Sequence, residues 1–243
     1  PRWLSAASGG IRGARSFPML DENQARTQLT DAIRMLERAN VVDYNGHFSA
    51  RVGPDRLLIN SGPSVRGALS EKDIIAIDMN GKPLDGNIPP PLEFHLHSEI
   101  YRARPEVNAI VHTHPRWSTY LSMTGTPYKP VYAQGVLLGT IPLFDTPNSI
   151  NNKPMGEALA KALGAGPAIL LKSHGVTVVG ADVIEAFTLA VYLEENSERQ
   201  YMAMQIGKPY VFTEEEMVAA KAKLWTETLF KRTWDHFLSK LTD

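Results

Sequence analysis

The chain has 243 residues, 43% of them hydrophobic and 21% charged, enough for one large α/β domain of ordinary soluble composition. A formal net charge of −1 excludes a broad cationic face, so neither nucleic acid nor a membrane surface is an expected partner, and no apolar stretch approaches a membrane span. There is no cysteine, which excludes disulfides, thiolate catalysis and Cys-based zinc sites and fits a reducing, cytoplasmic setting.

Residues 1–20 are expected to be a disordered extension, leader-like in composition, basic and without an acid up to Pro18. Residues 21–243 are expected to form a single domain. From Asp21 the pattern turns helical, with Leu29, Ile33, Leu36 and Val41 near a 3.6-residue period and Asp21 as a cap. "GHFSARV" and "DRLLINSG" read as two strands joined by a short turn, and Ile74 to Met79 as a third, ending in the Asn80-Gly81 turn. Pro89 to Pro91 lead into a helix that ends near Pro105, and "NAIVHTH" is a short buried strand. Helices are then expected from Pro115 and over "NKPMGEALAKAL", stopped by Gly164. "AILLKSHGVTVVG" reads as two strands meeting at His174-Gly175. Two long helices follow, the last spanning "TEEEMVAAKAKLWTETLFKRTWDHFLSKL" behind a Thr213/Glu216 capping box. Strands and helices mix without regular βαβ alternation, so the expected fold is α/β with a mixed, largely antiparallel central sheet and helices on both faces.

Five of the seven histidines lie between residues 95 and 174. His112 and His114 are two apart on a strand and share a face. Two imidazoles so placed can bind one metal ion, and His174, followed by a glycine that allows a sharp turn, offers a third. A three-histidine set leaves positions open for substrate or water. The alternative is that these are hydrogen-bonded core histidines, and spacing leaves both readings open. Glu93 sits among apolar neighbours and lies four residues from His97 on a helix, with His95 pointing elsewhere. Spacing alone favours a surface Glu–His pair. Near a metal, Glu93 would be a fourth ligand or a general acid/base with a raised pKa.

"LEFHLHSEIYRARPEVNAIVHTHP", followed 60 residues after His114 by "LLKSHGV", resembles the class II aldolase/adducin family, most closely its aromatic-acid decarboxylase branch. The resemblance implies a three-layer α/β/α fold, His112, His114 and His174 as metal ligands, and Glu93 as a catalytic or ligating carboxylate. It implies one divalent ion per subunit, Zn or Mn with Fe as a third option, and a homotetramer with active sites between subunits. His97 matches a common family position. The family contains aldolases, epimerases, a dehydratase, decarboxylases and non-catalytic adducins; the intact metal set favours an enzyme.

Departures from the family pattern narrow the chemistry. Sugar-phosphate members hold phosphate with a Gly-Asn, a Thr/Ser-Gly and a Ser-Ser pair; here these places carry Gly46-His47, Ser61-Gly62 and Pro91-Leu92. Pro91 has no N–H, and a phosphate dianion would lose charge-assisted hydrogen bonds of roughly 1.5–3 kcal/mol each. Gly46-His47-x-Ser49 instead resembles the decarboxylase branch, where Arg66 and Ser64 would stand at the substrate. Arg66 is then either a fork for a carboxylate or a solvated loop arginine. His47 is either a catalytic group on a substrate oxygen or proton, or a hydrogen-bonding residue behind the site. The aldolase tyrosine of a neighbouring subunit falls near Tyr132. The expected function is metal-dependent, non-oxidative decarboxylation of a small hydroxylated aromatic or heteroaromatic carboxylate. The alternatives are aldol cleavage of a hydroxy-keto acid or sugar (phosphate) and a non-catalytic, adducin-like role.

Overall fold

A computed structural model describes residues 21–241, and the extension expected over residues 1–20 lies outside the described residues. Seven strands form one sheet: β1 (His47–Gly53), β2 (Arg56–Asn60), β3 (Ile74–Asp78), β4 (Ala109–Thr113), β5 (Leu143–Phe144), β6 (Ala168–Leu171) and β7 (Gly175–Gly180). Their order is β3-β2-β1-β4-β7-β6-β5. Every pairing is antiparallel except that of β5 with β6. The helices are α1 (Glu22–Arg38), α2 (Phe94–Ala103), α3 (Arg116–Met123), α4 (Lys153–Leu163), α5 (Val183–Ile206), α6 (Glu214–Leu224) and α7 (Glu227–Ser239).

The period-2 alternation of the strands divides the apolar core between the two sheet faces. Phe48, Ala50, Val111, Val176 and Val178 pack with the α1, α5 and α7 side chains Leu29, Ile33, Phe187, Leu189 and Trp234. Leu57, Ile59, Ile75, Ile110 and Val179 pack with Leu96 and Ile100 of α2 and Leu159 and Leu163 of α4. The layers are therefore helix, sheet, helix, as expected. Central strands β4 and β7 are buried on both faces, which explains why "AIV" and "VTVV" read as nearly unbroken apolar runs.

Local signals fix most helix ends. Asp21 accepts from the Asn23 and Gln24 amides, Asn152 from Met155 and Asp182 from Glu185. Gly164 ends α4 with φ of +57°. The Glu194 carboxylate of α5 accepts from the Trp117 and Ser118 amides and so caps α3. One expectation is corrected, and one strand lies outside the expectations. The last helix is two helices, because Trp225 leaves helical geometry with ψ of 76° and Thr226 opens a new N-terminus by accepting from Leu229. Strand β5 was not foreseen; two residues, Leu143 and Phe144, are too short to carry a periodic signal. Among the described residues no helix is long and apolar enough to cross a membrane.

Candidate metal centre

His47, His112 and Thr177 are directly paired neighbours across β1, β4 and β7. They lie on the sheet face covered by α2 and α4, and all three are buried. A polar row in the middle of a sheet is costly unless it is partnered. Helix α2 supplies the partners. Its N-cap residue Glu93 places a carboxylate over the row, with Oε2 3.5 Å from His112 Nε2 and 3.7 Å from His47 Nε2. Glu93 Oε1 accepts from the Ile150 amide at 2.7 Å and stands 3.7 Å from His174 Nε2.

His114 follows the last residue of β4, and its Nε2 is 3.1 Å from His112 Nε2. His174 comes from the link between β6 and β7. Two features hold that link. Ser173 takes a left-handed conformation, φ +53°, and its amide donates to Ser122 Oγ at 3.0 Å. Gly175 lies so close to β4 that a Cβ there would sit 2.2 Å from the Thr113 carbonyl oxygen and 2.9 Å from the His114 ring. One ligating atom from each of Glu93, His112, His114 and His174 lies within 4.8 Å of the other three.

The outer partner of His114 aims that ring's lone pair inward. His114 Nδ1 is 3.1 Å from both oxygens of Asp43, which can only accept, so Nδ1 carries the proton and Nε2 the lone pair. His112 Nδ1 faces Thr177 Oγ1 at 3.3 Å. Burial, reinforced by neighbouring imidazoles, holds His112 well below the ordinary imidazole range, and burial also lowers His174. Burial alone would raise the Glu93 carboxyl. The His47 imidazole, the His112 imidazole and the Ile150 amide outweigh it and hold that carboxyl well below the usual range. This corrects the expectation of a raised Glu93 pKa: the expectation counted burial and missed the imidazoles around it. Three imidazoles and one carboxylate, with their ligating atoms converging, form a donor set that fits a divalent cation. The carboxylate behind His114 completes the usual second layer of such a centre.

The other expected site residues are placed as follows. Arg66 is buried rather than solvated: its Nε donates to Gly46 O at 2.6 Å, and its Nη1 to Ser64 Oγ at 3.0 Å and to the Ser64 carbonyl. It ties the Ser61–Arg66 loop to the turn before His47. The Ser61 amide donates to Asp73 O and the Gly62 amide to Pro89 O at 2.9 Å. Glu93 and His97 do not pair with each other; His47 stands between them, its Nδ1 2.7 Å from His97 Nε2. His95 points elsewhere, its ring 4.0 Å from that of Phe94. Tyr132 contacts α5, with the Arg199 guanidinium 4.0 Å over its ring and its amide on Asn196. None of those contacts joins it to the histidine cluster of the same chain. Sequence reasoning missed Asp43, Thr177 and Tyr101. The signal for Asp43 was available: an aspartate two residues before Asn45-Gly46 caps that turn, accepting from both amides.

The chain matches the class II aldolase and adducin N-terminal domain over residues 27–201. A 3,4-dihydroxyphthalate decarboxylase of Arthrobacter keyseri is 31% identical over 185 residues, which cover 70% of this chain and 75% of that protein. An L-fuculose phosphate aldolase of Methanocaldococcus jannaschii is 32% identical over 176 residues, 72% of this chain and 94% of its own. The solved structure of an aldolase II superfamily protein from Pseudomonas syringae shares the fold, with a TM-score of 0.80 at 23% identity over 93% of this chain and 94% of that one. The sequence relatives are thus lyases of two kinds, and this chain belongs to the class II aldolase and adducin family.

Proposed function

We propose that the chain is a metal-dependent lyase that decarboxylates a small hydroxylated aromatic or heteroaromatic carboxylate without oxidation. The observation that carries this reading is the convergence of His112, His114, His174 and Glu93 within 4.8 Å, with His47 beside them. His112, His114, His174 and Glu93 would hold one Zn²⁺, Mn²⁺ or Fe²⁺. When bound, that ion supplies Lewis acidity to substrate oxygens next to the breaking bond. The carbon–carbon bond to the carboxylate breaks, its electron pair stays on the ring carbon, and carbon dioxide leaves. His47, whose Nε2 faces the same space as Glu93 Oε2, delivers the proton that the ring carbon needs. Arg66 contributes positive charge and holds the Ser61-Gly62-x-Ser64 loop against His47; its fork is largely engaged by main-chain carbonyls, so its pull on the substrate carboxylate is mainly electrostatic.

The loop chemistry favours a substrate without phosphate. The Gly62 amide is engaged by Pro89 O, and Pro91 has no amide hydrogen. A phosphate placed there would have to break the first bond and would find no donor in the second. The likeness to dihydroxyphthalate decarboxylases points the same way. Assembly as a homotetramer with Tyr132 reaching a neighbour's site belongs to this reading. The exposed side chains of Tyr120, Met123, Met202 and Ile206 supply apolar surface for such contacts.

A second reading, aldol cleavage of a hydroxy-keto acid or sugar phosphate, is favoured by the likeness to fuculose phosphate aldolases. Stabilising a developing carbanion serves both reactions. The two separate when dihydroxybenzoates, phthalates and sugar phosphates are offered with added Zn²⁺ or Mn²⁺: carbon dioxide release from the aromatic acids is expected, and aldehyde release from the sugars alone would establish the second reading.

A further inference from the structure

Behind His47 runs a line of buried polar groups that the metal centre does not use. His47 Nδ1 is 2.7 Å from His97 Nε2, His97 Nδ1 is 2.6 Å from Ser49 Oγ, and Ser49 Oγ is 2.9 Å from Tyr101 OH. Ser49 lies two residues from His47 on β1, and His97 and Tyr101 are one turn apart on α2, so strand and helix periods bring the four to one seam. All four are buried. Arg51 fixes the far end, its Nη2 donating to the Tyr101 carbonyl at 2.6 Å and its guanidinium 4.7 Å from the ring.

The direction of this chain follows from donor accounting. The Tyr101 hydroxyl has one hydrogen-bond partner among the described residues, Ser49 Oγ; a buried phenol hydrogen left unpaired is costly, so Tyr101 donates. Ser49 then turns its own hydrogen to His97 Nδ1, which accepts. With its Nδ1 lone pair so engaged, His97 carries its proton on Nε2 and donates it to His47 Nδ1. His47 in turn carries its proton on Nε2, the nitrogen that faces Glu93 Oε2 at 3.7 Å. The reverse direction strands the phenol hydrogen and sets an imidazole lone pair against a carboxylate.

We infer that His97, Ser49 and Tyr101 are positioning residues that keep His47 a proton donor to the reaction space and prevent it from becoming a further imidazole ligand of the metal. The contrast with His114 shows the rule. There Nδ1 faces an acceptor, Asp43, and Nε2 presents a lone pair; here Nδ1 faces a donor, His97, and Nε2 presents a hydrogen. This inference rests on the reading of His47 as the proton source, but its first test requires no substrate.

Long-range ¹H–¹⁵N correlation spectra of metal-free protein report which nitrogen of each ring is protonated. His47 and His97 are both expected to carry the proton on Nε2, and either proton on Nδ1 overturns the inference. Glu93→Gln supplies the second arm, because a carboxamide can donate or accept and no longer dictates the His47 tautomer. If the buried chain sets the tautomer, His47 stays protonated on Nε2 in that variant; a shift to Nδ1 overturns the inference. The third arm is kinetic. His97→Leu removes the donor and is expected to lower kcat by about 10²-fold, within the range of general acid–base catalysis, with KM little changed. His97→Gln restores an N–H toward His47 Nδ1 and should recover at least tenfold. Equal losses in the two variants overturn the inference. A protein that decarboxylates none of the acids offered leaves the two spectroscopic outcomes fully decisive.

Discussion

His114 and Asp43 meet at 3.1 Å through one ring nitrogen and both carboxylate oxygens. Asp43 is itself held by the Asn45 and Gly46 amides, so the orientation of the His114 ring is set by a residue 71 positions away in the chain. Burial would raise the Asp43 carboxyl, but the His114 contact and the Asn45 and Gly46 amides together outweigh it and the carboxyl is lowered. It is therefore ionised at neutral pH and keeps the His114 proton on Nδ1. Asp43→Asn keeps the turn and removes the charge. It is expected to weaken divalent-ion affinity about 10–100-fold, measured by competition with a chelating dye; unchanged affinity would show that the ring is oriented by packing alone.

The close approach of β7 to β4 makes a second test. A Cβ on Gly175 would sit 2.2 Å from the Thr113 carbonyl oxygen, a backbone atom that cannot rotate away. Gly175→Ala is expected to cost about 1–3 kcal/mol by denaturant titration. It should also lower metal occupancy, because His174 and His114 flank the clash. Wild-type stability in this variant would contradict the packing described here.

Ser122 tests the seating of His174 from its other side. Its Oγ accepts from the Ser173 amide and donates to the Thr119 carbonyl. Ser122→Ala leaves the Ser173 amide without its acceptor, at a cost of about 1–3 kcal/mol. Ser173→Gly, which accepts the φ of +53° without a Cβ, is expected to be neutral or stabilising. Comparing thermal midpoints of the two checks both statements, and equal losses would contradict them.

Much of the fold was legible because its signals are local. Caps such as Asp21, the turn at Asn80-Gly81 and the alternation around "AIVHTH" need only neighbours in sequence. The candidate metal set was legible for a different reason: His112 and His114 share a strand face by period alone, and the motif resemblance brought in His174 and Glu93. What could not be read was lateral. That His47 pairs with His112 and Thr177 across three strands depends on sheet order, and that His97 reaches His47 instead of Glu93 depends on how α2 is set over the sheet. The direction of the Glu93 shift failed for the same reason, since it is decided by imidazoles from β1 and β4. For Arg66 the sequence offers a carboxylate fork or a solvated loop arginine, because nothing in it shows that the Gly46 carbonyl comes within reach.

Buried imidazoles give the metal-free protein a particular pH response. Burial lowers His47, His97 and His112 in the folded state, whereas unfolded histidine titrates near about 6.5. Below that pH the unfolded chain binds more protons, so stability is complete above about pH 7 and falls as the pH drops below about 6.5. Each such histidine contributes at most about 1.4 kcal/mol per pH unit. Glu93 and Asp43 are lowered and act only at more acidic pH. Urea titrations with a chelator at pH 7.5 and 5.5 are expected to show a clearly lower midpoint at 5.5, and equal midpoints would contradict neutral burial.

Elemental analysis of the purified protein after reloading with Zn²⁺ or Mn²⁺ tests the centre most directly. One ion per chain is expected in the wild type, with occupancy largely lost in His114→Ala and in His174→Ala while circular dichroism shows the fold retained. Full occupancy in either folded variant would contradict a single cation held jointly by the β4 and β6–β7 histidines.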